Sequence, residues 1–166
     1  MPKLIRWEGG QAAWAEDAFA SVADEDEIPA GDVIISLARF QTEGDRLLSE
    51  GRAVGVRLEA AENVEDLAYD LPRIAVVAPV FPKFRDGRAY TAAQLLRGRY
   101  RYRGQVRAVG EVLREQAGFM VRVGFDAFEP ADDSSPEQWT HAARRHRHVY
   151  QRAADGKTPA FVEREG

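Results

Sequence analysis

The chain has 166 residues, 45% hydrophobic content, a formal net charge of −4 and no cysteine. That length buries one core and is too short for two ordinary ones, and the acidic balance excludes a general nucleic-acid binder, which is basic overall. Without thiolates the chain alone holds no iron–sulfur cluster and forms no disulfide, and structural zinc loses its usual ligands.

The chain also lacks a Gly-x-Gly-x-x-Gly run, so no cofactor is expected from its motifs. No apolar stretch approaches the ~20 residues that span a bilayer, and Met1-Pro2-Lys3 precedes no signal-peptide core, so a cytoplasmic location is expected.

In chain order, Leu4-Ile5-Arg6-Trp7 before Gly9-Gly10 reads as a small hairpin or edge strand covering one edge of a sheet. The acidic run Asp24-Glu25-Asp26-Glu27, closed by Ile28-Pro29-Ala30-Gly31, reads as a solvated loop. From Asp32 onward the pattern alternates. Strands are expected at Val33 to Leu37, Ala53 to Leu58, Ile74 to Val80, Gln105 to Val109 and Phe125 to Glu129.

Between them lie helical segments: one ending at Leu47-Leu48 before Gly51, Val64 to Leu71 capped by Asn63 and stopped by Pro72, Ala89 to Arg99, and Val112 to Val123 before Gly124. About five βα units in this order predict a single α/β domain with a mainly parallel sheet and right-handed crossovers. Its parts are residues 1–31 (hairpin and acidic loop), 32–130 (core) and 131–166 (C-terminal helix and tail). An open doubly wound sheet is the first expectation and a partial βα barrel the second, since a complete eight-unit barrel needs roughly 200 residues.

The C-terminal helix has a well-specified start. Ser135-Pro136-Glu137-Gln138 sets a capping serine before a first-turn proline, with glutamine three residues after the serine. Trp139, Ala143, His146, Tyr150 and Ala153 then form a docking stripe. The histidines, His141, His146 and His148, all lie here, and no two are three or four residues apart, the separation a shared metal needs on one helix face; no metal site is expected. His146 is expected to be a packed core-edge residue. The segment 156–166 reads as a loose terminus or a partner-reaching arm.

In parallel α/β sheets the carboxyl ends of the strands converge on ligands. The richest loop at such an end is Phe81-Pro82-Lys83-Phe84-Arg85-Asp86-Gly87-Arg88, directly behind an apolar strand. Taking the residues that follow each strand gives a candidate anion site of Arg39, Glu59, Lys83, Arg88, Glu111 and Arg114. Arginine grips an oxyanion in bidentate fashion, lysine adds a point charge, helix N-termini add positive potential, and the two glutamates hold the cations or move protons. The competing reading is a structural network in which the cations pair with Asp86, Glu111 and Glu115. Phe81 and Phe84 either flank a ligand or pack in the core, and the isomer of the Phe81-Pro82 bond is left open.

A basic segment, Arg97-Gly98-Arg99-Tyr100-Arg101-Tyr102-Arg103, interleaves cations with aromatics. Such a surface can track nucleic-acid phosphates, but the acidic balance of the whole chain argues instead for docking an acidic protein partner through Arg99, Arg101 and Arg103.

The order of motifs resembles that of an uncharacterised bacterial family named as probable oxidoreductases of sulfite reduction and commonly encoded beside sulfite reductase. The motifs are Val33-Ile34-Ile35-Ser36-Leu37-Ala38-Arg39-Phe40, Gly55-Val56-Arg57-Leu58, Phe81-Pro82-Lys83-Phe84, Asp86-Gly87-Arg88, Leu95-Leu96-Arg97, Arg107-Ala108-Val109-Gly110 and Gly124-Phe125-Asp126-Ala127-Phe128. The resemblance covers about Asp32 to Glu129. The chain departs from it with Glu111 and Glu115 in place of aspartates, and Ala89 and Thr91 in place of glycine and serine.

The resemblance implies an accessory protein of sulfate and sulfite assimilation that supports sulfite reductase, or a neighbouring enzyme, by contact. The strand-edge residues point to a second function, an enzyme or binding module for a sulfur-containing or phosphorylated anion. Catalysis and self-association are left open by both, and neither involves nucleic acid or a membrane.

Overall fold

A computed structural model describes residues 3–145. The expected stripe residues His146, Tyr150 and Ala153, with His148 and the segment 156–166, lie outside the described residues. The N-terminal hairpin forms as expected: β1 (Leu4–Glu8) and β2 (Gln11–Ala15) pair antiparallel around the Gly9-Gly10 turn. Both turn glycines have positive φ, the twist that a tight hairpin connection requires.

Seven further elements build the sheet and its first layer of cover: β3 (Phe19–Ser21), β4 (Asp32–Ser36), α1 (Leu37–Ser49), β5 (Val54–Leu58), β6 (Val76–Phe81), α2 (Arg88–Gln94) and β7 (Gln105–Gly110). The chain finishes with α3 (Ala117–Val123), β8 (Ala127–Phe128) and α4 (Pro136–Arg144).

The sheet has eight strands in the order β2-β1-β8-β7-β6-β5-β4-β3. From β3 to β8 each strand pairs in parallel with the next one in the chain, and β1 pairs antiparallel with both β2 and β8. This corrects the first expectation of a doubly wound sheet with about five strands. A doubly wound sheet reverses its strand order at a switch point and so covers both faces with helices. Here every crossover steps in the same direction, which puts the helices on one face and curls the sheet into a half-barrel, the second expectation.

The helix-side core includes Val33, Ile35, Val56, Val77, Phe81, Val106 and Phe128 from the sheet, with Phe40, Leu47, Leu96 and Met120 from the helices. The alternate residues Ile34, Val76 and Ala78 face the concave side, with Phe19, Ala75 and Val109 packed on them.

Three helical expectations change. The β5–β6 connection is two 3-10 turns, Val64–Leu67 and Leu71–Arg73, with no side-chain cap from Asn63. Val64, Leu67 and Leu71 are buried, but Pro72 enters the second turn, and a continuous α-helix through it would lose a backbone donor. The helix expected over Ala89 to Arg99 starts one residue earlier and ends in a π-helical turn, Leu95–Arg99, closed by the Tyr100 N–H on the Leu95 carbonyl at 3.0 Å.

The helix expected from Val112 begins as extended chain and a 3-10 turn at Arg114–Gln116, and only Ala117–Val123 is α-helical. Gly124 closes it in the left-handed region, as its position predicted.

The start of α4 is as read from the sequence. The Ser135 side chain accepts from the Gln138 N–H, and the Gln138 side chain accepts from the Ser135 N–H, which satisfies two backbone donors at once. Trp139 and Ala143 are buried stripe residues. The helix docks on the hairpin, with the Ala12 N–H donating to Thr140 Oγ1 at 2.9 Å and Arg144 Nε donating to the Gly10 carbonyl at 2.8 Å. No helix among the described residues is long and apolar enough to cross a membrane.

Candidate functional site

The carboxyl edge of the half-barrel carries five of the six residues singled out from the sequence, and of these the side chains of Arg39, Glu59 and Arg88 are engaged by near neighbours. Arg39, on the first turn of α1, donates to Glu43 at 2.8 Å and to the Ala23 and Asp26 carbonyls at 2.7 and 2.9 Å, and so ties the acidic loop to the helix. Glu59 accepts from Arg57 Nε at 2.9 Å. Arg88 grips Asp86 with Nε and Nη2, the closest contact being 2.6 Å. Lys83 is exposed and acts on Asp86 only through its charge. Glu111 is exposed, and its N–H donates to the Phe81 carbonyl at 2.7 Å.

Arg114 lines a different place, a groove of about 520 Å³ between the 3-10 turn and α4 that also includes Glu115, Glu137, Gln138, His141 and Arg145. The six residues thus divide into three local pairs, two exposed side chains and a separate groove, and do not form one pocket. Phe81 is fully buried and Phe84 is partly exposed, so the two do not frame a common ligand, and the Phe81–Pro82 bond is trans.

The Asp86–Arg88 clasp has a measurable signature. The Arg88 guanidinium and its backbone N–H hold the Asp86 carboxyl at a pKa of about 2, below its ordinary value. Because the folded value is depressed, the clasp supports the loop above the ordinary carboxylate range and loses that support as pH falls through about 2. An NMR titration of the Asp86 carboxyl should show this midpoint, and Arg88→Ala should return it toward 3.8. A midpoint unchanged by the substitution would dissolve the clasp.

A second and more enclosed arrangement lies on the concave face, where strand alternation puts a row of residues at one level. Ser36, Arg57 and Ala78 are in register, and Arg107, paired with Ala127, follows the residue that pairs with Val77. Arg107 is only 1% exposed. Its Nη1 donates to Asp17 at 2.8 Å and Glu129 at 3.0 Å, Nη2 to Asp17 at 3.1 Å, Nε to Gln105 at 2.7 Å, and its guanidinium lies over the Phe19 ring at 5.9 Å. A buried cation persists only with such full pairing.

Above this level a cavity of about 230 Å³ opens toward the carboxyl end, lined by Ser21, Arg57, Val80, Gly110 and Glu129 over a floor that includes Ile34, Ala78 and Val109. Gly110 has φ +93, and a Cβ there would land on the Phe81 carbonyl oxygen, so the chain can turn beside the cavity only with glycine.

The sequence reading did not select Arg107, Arg57, Asp17 or Glu129. A signal was present: Gln105-Val106-Arg107-Ala108-Val109 sets a cation in the middle of a strand with apolar neighbours, and such a residue needs a buried partner.

The basic segment lies at the opposite, amino end of the strands. Arg97 belongs to the structure: it donates to the Gly124, Tyr102 and Gly104 carbonyls at 2.8 to 2.9 Å and pairs with Asp126 at 3.5 Å. Arg99 is exposed, 3.9 Å from Glu65 and over the Tyr100 ring at 5.4 Å. Arg101 and Arg103 are exposed and line a depression of about 440 Å³ with Leu71, Pro72 and Tyr102.

A comparison with curated proteins finds no match. The family model described as a bacterial protein of unknown function, DUF934, matches residues 55–161, more than half of the chain. That span holds Arg57, Arg107, Gly110 and Glu129 with the strands that position them, as well as the basic loop, and the chain belongs to this family of bacterial proteins.

Proposed function

We propose that the protein is an accessory protein of assimilatory sulfite reduction, supporting sulfite reductase by direct contact through the arginines of the loop 99–103. The resemblance to a family encoded beside that enzyme supplies the partner, and the loop supplies a surface suited to it. The observation that carries the reading is the presentation of Arg101 and Arg103. Among the described residues both are exposed and make no hydrogen bond or ion pair.

Their backbone, however, is held firmly. Tyr102 between them is buried, its hydroxyl donates to the Ile74 carbonyl at 2.8 Å, and Gly104 leaves the room that this ring fills, since a Cβ there would land on the hydroxyl. Arg97 binds the carbonyls on either side of Arg103. Arg101 sits at φ +50, a left-handed conformation that costs a non-glycine residue about 1–2 kcal/mol and persists only where its surroundings impose it.

Two charges on a rigid loop dock with little loss of chain entropy, and their field speeds encounter with an acidic surface. Reversing Arg99, Arg101 and Arg103 to glutamate should therefore reduce recovery of sulfite reductase in a pull-down, slow association and make the residual binding less sensitive to salt. The circular dichroism spectrum should not change, because none of the three is buried. Undiminished recovery and unchanged growth on sulfite would eliminate docking through this loop.

A further inference from the structure

The concave cavity has opposite charges on its two walls, and neither wall is neutralised by the other. Arg57 comes from β5 and Glu129 from the residue after β8, with β6 and β7 between them. Three strand spacings separate their backbones, about 14 Å across the sheet.

Each charge has its own support on the side away from the other. Arg57 gives Nε to Glu59 at 2.9 Å and keeps its two terminal nitrogens out of that bond. Glu129 gives Oε1 to Arg107 at 3.0 Å and keeps Oε2 out of it. Arg107 cannot shift to follow a ligand, because Asp17 and Gln105 hold the rest of its guanidinium. The floor between the two charges is apolar, from Ile34, Ala78, Val80 and Val109, with the Ser21 hydroxyl at the rim.

Such a cavity sorts ligands by charge pattern. A plain anion finds a partner only at the terminal nitrogens of Arg57 and a plain cation only at Glu129 Oε2, so each uses one wall and leaves the other unmet. A molecule carrying both charges a few ångströms apart satisfies both walls and brings no net charge into a half-buried space. About 230 Å³ over an apolar floor accommodates a short side chain.

We propose that this cavity binds a small zwitterion, an α-amino acid with a short side chain, whose carboxylate is gripped by Arg57 and whose ammonium group is held by Glu129. The site is at the opposite end of the strands from the loop 99–103, so it stands or falls independently of the docking reading.

Calorimetric titration of the full chain with the standard amino acids tests it, with propionate, ethylammonium and inorganic phosphate as single-charge probes. L-Alanine or L-serine should bind, the single-charge probes should bind at least about tenfold more weakly, and phosphate should not compete. Arg57→Met should weaken amino-acid binding about tenfold or more while the circular dichroism spectrum is kept. Glu129→Gln, which retains an acceptor for Arg107, provides the same test from the other wall should the first variant fail to fold. Failure of every amino acid to bind, propionate binding as tightly as L-alanine, or wild-type affinity in the folded variants would each overturn the assignment.

Discussion

Arg107→Met is expected to destabilise the protein by about 3–5 kcal/mol, the range for breaking a buried ion pair from one side. Methionine fits the volume and leaves the strand pairing intact, so the loss comes from the two carboxylates. Asp17 and Glu129 then face each other without the cation that both now contact at 2.8 and 3.0 Å. Asp17 lies on the segment that brings β3 to the edge of the sheet, so that edge should loosen first.

Urea denaturation measures the cost. A double-mutant cycle with Asp17→Asn isolates the pair: the second substitution should be costly in the wild type and nearly neutral beside Arg107→Met, because its partner is already gone. Additive losses would show that Arg107 is held by packing and not by charge. The same substitution should also impair the concave cavity, since Glu129 loses the support that fixes its orientation.

Trp139→Ala should be equally damaging, about 3–5 kcal/mol for truncating a fully buried aromatic. Its indole stacks on Phe128 at 4.6 Å between centroids, and its Nε1 donates to Ser134 Oγ at 2.8 Å. Phe128 belongs to β8, which pairs with β7 on one side and with the antiparallel hairpin on the other. The indole thus clamps α4 over the seam where the parallel and antiparallel parts of the sheet meet. Trp139→Phe should recover most of the loss by keeping the stack, with about 1 kcal/mol still missing for the hydrogen bond. A lower urea midpoint with an unchanged slope is the expected signature, and a fall in slope would mean instead that the seam opens before the rest of the sheet.

Local chemistry was readable from the chain wherever it depended on neighbours in sequence. The Gly9-Gly10 turn, the Ser135 capping box, the glycine after Val123 and the apolar runs that became β4 to β7 are each decided by residues within a turn's reach. The α/β class followed from their alternation. The same local logic missed β3, whose three residues are at most half-buried and carry little apolar signal. It also overestimated the helix after Asn63, where Pro72 and the short span allow only 3-10 turns.

The direction of each crossover was beyond such reasoning. Doubly wound and half-barrel sheets share strands, helices and connection handedness, and differ only in whether successive strands keep stepping one way. That choice decides which residues meet. It leaves the carboxyl-edge cations beside their own neighbours, Arg88 with Asp86 and Arg39 with Glu43, because each has a counter-charge within four residues and pairs with it first. It creates a concave face, unprotected by helices, on which Arg107 from β7 finds Asp17, 90 residues earlier in the chain. Although the local reading did not select Arg107, the sequence around it held a sign that a buried arginine there would need counter-charges. Only the curl of the sheet determined which ones, since that partnership depends on bringing distant strands to one level and not on any local spacing.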